Sequence, residues 1–254
     1  MNYSREDVEK GLKNYFGDKV LFYVKFTKEE WARDISEGNL YMKTIGYYRQ
    51  LEAEKSSKGQ GDKCELLLSL FFSEMSFKSH KNDIEIPINP GKVIFEFGED
   101  KNKPAFCISG LTIDDMILDK WDENNISMNW PYSKEDIDFI KEEFGEYVVI
   151  LMANEFEQRI NNSLNNDTPG IFKKVQYVPE NSLERANAFF KVSPDRFFFK
   201  NLEFKNQREY RIVLNENIED KKIMKIADLQ DISHVMRIED FSNLQFSFKC
   251  ILEK

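Results

Sequence analysis

The chain has few of the residues on which common catalytic and metal sites are built. Only two histidines, His80 and His234, occur in 254 residues, so a zinc site built on imidazole is not expected. Neither has a nucleophile partner of the kind a Ser/His/Asp hydrolase needs. The three cysteines, Cys64, Cys107 and Cys250, are widely spaced and form no C-x-x-C pair. Their odd number argues against a disulfide framework and for reduced, buried thiols. The sequence contains no G-x-x-x-x-G-K-[ST], no G-x-G-x-x-G and no H-E-x-x-H, which sets aside the common NTPase, dinucleotide-fold and zincin readings. No apolar run approaches the ~20 residues that span a bilayer, and the N-terminus is polar, without a signal-like apolar core. A cytoplasmic protein with no membrane partner is expected. Positive charge is also in deficit: 36 Lys and Arg stand against 45 Asp and Glu, a net charge of −9. A protein that grips long nucleic acid by its backbone shows a basic face, so duplex DNA is not the default partner. A small anionic ligand held by a few Arg and Lys fits an acidic whole. No internal repeat, low-complexity tail or Pro/Gly-rich linker is visible, and one domain is expected.

What the chain has is phenylalanine, 22 copies. Many fall in short runs with β-forming neighbours, as at 68–72 and 197–199, which points to an aromatic core and an α+β fold of mixed, mostly antiparallel sheets with flanking helices. Ser4 is placed to cap a helix to about Phe16, with Val8, Leu12 and Tyr15 on its apolar face. A strand at 20–26 follows. Thr27-Lys28-Glu29-Glu30 reads as a capping box, opening a helix that carries Trp31 and Ile35 and stops at Gly38. Strands are expected at 40–43, 65–72, 83–88, 92–97 and 104–109, with a turn at Asn89-Pro90-Gly91. A short helix is expected at 47–52. Residues 112–130 are weakly patterned and read as a surface insertion. Ser133 caps a helix to about Phe144, with acidic residues in its first turn. The apolar run 147–152 is a central strand. Helices at 154–164 and 181–190 and strands at 172–178, 209–214, 222–226, 234–238 and 245–252 complete the pattern.

Two constellations carry chemistry. In Asn206-Gln207-Arg208-Glu209-Tyr210-Arg211, strand alternation puts Glu209 and Arg211 on one face and Tyr210 on the other. Charges on a half-buried sheet are costly unless paired or used, so the stretch is either a structural ion pair or part of a site. In the second reading Glu209 stabilises positive charge or takes a proton, oriented by Gln207 or Arg211. The other constellation is Tyr47, Arg49, Glu52, Gly61, Asp62 and Glu65. Here Gly59 and Gly61 would let backbone amides approach a phosphate, with Arg49 and Lys63 supplying charge; the alternative is a solvated turn. Asp62 and Glu65 as metal ligands lack further convergent oxygens, and no metal is expected.

Gly38-Asn39-Leu40-Tyr41-Met42, Tyr47-Tyr48-Arg49, Glu52, Gly61-Asp62-Lys63-Cys64-Glu65 and Gln207-x-Glu209-Tyr210-Arg211 resemble, as a set, a broad group of bacterial proteins of unassigned function. The order of elements also resembles the ADP-ribosyltransferase fold, in which a first strand, a short helix ending near Gly-Leu and a second strand precede a late strand bearing the catalytic Glu. Residues 21–26, 31–40 and Glu209-Tyr210 occupy those places. Tyr23 and Lys25 stand where that family has a nicotinamide-contacting His or Arg, and its Ser-Thr-Ser and His-Gly-Thr motifs are missing. The resemblance implies NAD or a related small anionic nucleotide as ligand, with a protein or nucleic-acid acceptor. It implies Glu209 as the catalytic residue. Around it the ligand would be bound by Lys25, Tyr47, Tyr48, Arg49, Asp62, Glu65, Gln207 and Arg211. Such proteins serve as toxins, effectors or phage-defence components. A non-catalytic nucleotide-sensing or interaction module of the same fold, and a metal-dependent nuclease using Asp62 and Glu65, are the competing readings.

Overall fold

The computed structural model describes residues 3–55, 61–79, 81, 84–122 and 125–249. Gly59, His80, Cys250 and the side chain of Glu52 lie outside the described residues. The N-terminal half runs α1 (Arg5–Phe16), β1 (Val20–Thr27), α2 (Glu29–Ser36), β2 (Asn39–Thr44) and α3 (Ile45–Lys55). Then come β3 (Leu68–Phe72), β4 (Met75–Lys78), β5 (Glu85–Ile88), β6 (Gly91–Phe95) and β7 (Pro104–Thr112). Next are β8 (Ile117–Trp121), β9 (Asn125–Asn129), α4 (Lys134–Phe144), β10 (Tyr147–Met152), α5 (Ala153–Ser163), β11 (Gly170–Lys174) and β12 (Gln176–Tyr177). The chain continues through α6 (Leu183–Phe190), β13 (Phe199–Lys200), β14 (Glu209–Leu214), β15 (Lys221–Lys225), β16 (Ser233–Arg237), α7 (Ile238–Phe241) and β17 (Gln245–Lys249). The fold is α+β with mostly antiparallel sheets.

Its centre is an 8-stranded sheet in the order β11-β14-β7-β1-β10-β16, with β2 attached to β7 and β15 to β2. Alternation along these strands divides the apolar side chains between two faces. Tyr23, Ile108, Val149, Leu151 and Ile212 face one side, where α2, β2 and α5 supply Ala32, Ile35, Leu40, Met42, Phe156 and Ile160. Phe22, Val24, Leu111, Val148 and Ile150 face the other, against Leu12 of α1, Ile137 of α4 and the β8–β9–β17 sheet. A third small core, Ile45, Leu66, Ala105, Phe197, Phe198 and Val213, closes one end of the sheet.

One edge of β7 changes partner along its length. It pairs with β1 from Thr112 to Ser109 and with β2 at Ala105 and Pro104. Among the described residues, 106–108 have no register partner on that edge. The carbonyl of Cys107 is instead taken by the Lys25 ammonium, Nζ to O 2.8 Å. The sheet therefore forks beside β7, and a lysine fills the fork.

Several sequence expectations change in three dimensions. β1 continues through Thr27, so α2 is capped by Lys28 with no side-chain hydrogen bond and the Thr27 box does not form. Tyr15 is exposed and Phe16 packs inward. Trp31 is on the surface, stacked on Tyr41 at 5.6 Å. The strand expected from residue 65 starts at Leu68, because 63–66 turn and Leu66 takes φ 59. Residues 112–130 do not form a surface insertion. They carry β8 and β9 and bury Leu118, Ile126, Met128 and Trp130. Asn89-Pro90-Gly91 is no hairpin turn: 68–79 runs antiparallel to 84–95 in one register, Leu68↔Phe95 through Lys78↔Glu85.

Gly38 has φ +80, and a Cβ there would lie 2.6 Å from the Ile226 carbonyl oxygen and 2.7 Å from that of Ala227. Gly38→Ala is expected to cost about 2–4 kcal/mol from left-handed strain and overpacking. Gly11, inside α1, has nothing within 4 Å of its would-be Cβ. Gly11→Ala should stabilise by up to ~1 kcal/mol. Urea unfolding midpoints of the two variants, moving in opposite directions, check this.

Candidate functional site

The site is built on one face of β7 and β14. Register places Glu209 opposite Ser109, Arg211 opposite Cys107 and Val213 opposite Ala105. On that face β7 therefore reads Ala105, Cys107, Ser109, Leu111. Its two ends belong to different apolar cores and its middle is polar. The charged side chains of β14 stand over this polar gap. Tyr210 points the other way, against Tyr23 at 5.2 Å and Phe172 at 5.9 Å. Gly110 makes room for it, since a Cβ there would lie 2.6 Å from the Tyr210 ring.

Four charges meet in the gap. Arg211 donates to Glu209 Oε1 from Nε at 2.9 Å and from Nη2 at 2.7 Å. Its Nη2 also donates to Glu65 Oε1 at 2.6 Å, and Nη1 to the Phe197 carbonyl at 2.8 Å. Lys200 Nζ donates to Glu209 Oε2 at 2.6 Å and to Gln207 Oε1 at 2.8 Å, and lies 3.7 Å from Glu65. The side chains of Glu65, Lys200 and Arg211 are 1–2% exposed and that of Glu209 6%, so water does not screen the quartet. Two acids and two bases make it formally neutral.

The two carboxylates are not equivalent. Glu209 receives three short donor contacts, whereas Glu65 receives one, and its Oε2 is buried without a partner. Burial pushes both toward the protonated form. For Glu209 the Arg211 and Lys200 charges overcome it and hold the carboxyl well below the usual range. For Glu65 burial wins over the same two cations and the carboxyl is raised. Burial works to lower Lys200, but Glu209 and Glu65 outweigh it and keep the ammonium raised. Burial also pushes the Cys107 thiol, beside Glu209, up to about 12, so it stays protonated at neutral pH.

The rim is half-buried and polar: Lys25, Tyr48, Cys107, Ser109, Tyr177 and Gln207. Burial lowers Lys25, which spends one of its three donors on Cys107. Tyr48 is raised well above its usual value by burial and by the nearby Cys107 and Glu209. The Glu209 N–H donates to the Tyr177 hydroxyl at 2.7 Å, and Ser109 Oγ to the Gln207 carbonyl at 2.8 Å. Arg208 enters β14 at φ 48, and Leu66 follows Glu65 at φ 59. Each carboxylate thus has a left-handed non-glycine neighbour, a placement that recurs where geometry is imposed by function.

Of the residues singled out from sequence, Glu65, Gln207, Glu209 and Arg211 meet in the quartet and its margin, and Lys25 and Tyr48 stand at the rim. Asp62 is fully buried beside it as a backbone clamp, accepting from the N–H of Cys64 at 2.8 Å and of Asn201 at 2.9 Å. Arg49 is not brought in: it pairs with Glu96 at 2.7 Å near the surface. Tyr47 is exposed with Lys43 over its ring. Sequence reasoning missed Lys200, Cys107 and Tyr177. Lys200 left a signal, since a lysine closing Phe197-Phe198-Phe199 is drawn inward with its neighbours. A comparison of the chain with protein-family models, curated proteins and solved structures finds no match.

Removing one buried charge strands its partners. Glu209→Gln should cost about 3–5 kcal/mol in chemical denaturation. Glu65→Gln should cost distinctly less, because its amide oxygen can still accept the one short Arg211 hydrogen bond that Glu65 receives. The pH dependence separates them too. The stability from Glu209, lowered in the fold, is full above the unfolded value near pH ~4.3 and lost as pH falls through the folded value. Any contribution of raised Glu65 has the opposite sign: present below ~4.3 and lost as pH rises through its folded value. Stability of Glu209→Gln should therefore fall less steeply than wild type below pH ~4, read from urea midpoints across pH.

Proposed function

We propose that the polar gap is the reacting centre of an ADP-ribosyltransferase-like bacterial protein that binds NAD or a related nucleotide, in an effector or phage-defence role. The observation that supports it is the split between the two carboxylates. Groups whose surroundings drive their pKa values apart divide the work of acid and base, and cleavage at a sugar's anomeric carbon uses such a pair. Glu209, held ionised, would face the positive charge that develops on the ribose as nicotinamide leaves with the bonding electrons. Glu65, a stronger base than an ordinary carboxylate, would take the proton of the attacking water or acceptor hydroxyl. Lys25 has donors left for a phosphate, and Tyr48 offers a ring at the rim.

One observation favours a non-catalytic reading of the same site. The quartet is internally paired and only 1–6% exposed, an arrangement that suits a sensor of nucleotide better than a centre that must admit an acceptor.

The test is direct. Purified protein should bind NAD by calorimetry and release nicotinamide. Glu65→Gln, chosen because it should fold, should lower the turnover rate by about 100-fold or more with binding retained. Tyr48→Ala should weaken binding. Saturable binding with no nicotinamide release would select the sensing reading. Neither binding nor consumption of NAD would end the proposal.

A further inference from the structure

Residues 68–95 form a feature that the candidate site does not use. The shared register makes them one long two-stranded arm, from Leu68↔Phe95 at its base to Lys78↔Glu85 near its tip. Directly paired residues point to the same face, and positions two apart along a strand do so too. One face of the arm therefore carries Phe71, Met75, Phe77, Ile84, Ile86 and Ile94. The opposite face is apolar only at its base, with Leu68 fully buried, and carries Glu74, Ser76, Lys78 and Glu85 further out.

Beyond Ser69, which is buried against Glu180 at its base, the first face is uncovered. Its six side chains are 58%, 37%, 65%, 53%, 57% and 54% exposed in the order named. No residue of β4 or β5 is buried. A lone two-stranded ribbon is marginal in water unless its apolar face packs on something. At about 100 Å² of open surface per large side chain, the stripe presents about 600 Å² per chain, at the top of the range for the largest apolar patch of a monomer, where such patches are often functional.

We infer that this face is covered by the same face of a second copy of the chain, in a two-fold dimer. Three features select that occupant. The area is right: two stripes together remove about 1,200 Å², the lower bound of a specific interface. The charge is right: in a chain of net −9, residues 68–95 contain three Lys and three Asp or Glu, so the arm is neutral where two acidic molecules must approach. Lys92, the one cation of the described strands on the apolar face, is neutralised by Glu180 at 2.9 Å and lies over the Phe71 ring. Strand addition is disfavoured along one edge: Pro87 and Pro90 remove N–H donors from the 84–95 strand, so the apolar face rather than that edge is the docking element. Two such ribbons stack face to face about 10 Å apart, and because the contact is isologous it closes at two copies.

The experiment is light scattering coupled to size exclusion on the full chain at tens of micromolar. Wild type should run at twice the 30.1 kDa chain mass. Phe77→Glu with Ile86→Lys should run as a monomer with an unchanged circular dichroism spectrum. Amide exchange of residues 75–78 and of Glu85, Ile86 and Ile88 should slow as wild-type concentration rises and stay fast in the double variant. A monomeric wild type, or a double variant that remains dimeric, overturns the inference. A monomeric wild type whose stripe is instead protected by a different protein or by lipid vesicles overturns it as well.

Discussion

Arg211 is the pin of this structure. It binds Glu209 two residues before it on the same strand, Glu65 from a segment 146 residues away, and the carbonyl of Phe197. Segments with little regular structure are thereby fixed against the sheet. Asp62 continues the tie by accepting the N–H of Asn201, and buried Arg185 donates to the carbonyls of Cys64 and Leu67. In a dry interior each of these charges is tolerable only with its partners in place. The group is all-or-none, which makes it a source of geometric definition rather than of large net stability.

The same arrangement sets the position of the candidate site. Ala105 and Val213 belong to one apolar core and Leu111 to another, and the polar pair Cys107 and Ser109 separates them on β7. The fork in the sheet, where β7 exchanges β1 for β2, brings the Lys25 ammonium to the same place. A polar interruption between two cores, holding the buried ion quartet beside half-buried Tyr48 and Gln207, is what sets this part of the sheet apart from the rest. On the reverse face of the sheet, Tyr23, Phe172 and Tyr210 form an aromatic cluster with Phe156 of α5 behind the charges.

Local signals in the sequence decide the structure where one rule acts alone. The Ser4 and Ser133 caps both form, each with an aspartate three residues on. Gly38 is left-handed with carbonyls at its would-be Cβ. Strand β14 begins at Glu209, with Tyr210 opposite in face to its charged neighbours. Where two rules compete, the local signal gives way. Strand pairing carried β1 through Thr27 and removed its capping role. Pro90-Gly91 matches turn chemistry, yet it lies within one arm strand because 68–79 pairs across it. Arg49 and Glu65 are close in sequence, but α3 directs Arg49 to Glu96, while the turn at Leu66 directs Glu65 inward.

The sequence by itself determined the α+β class, most of the elements and the two charged segments worth watching, because propensity, capping and alternation act within a few residues. Only the tertiary structure decided that Glu65 and Glu209 share one arginine, that Lys200 completes their charge balance, and that the two acids differ. Those facts depend on burial and on contacts between distant segments. The identity of each side chain was visible in the sequence, but its dielectric surroundings came from the fold.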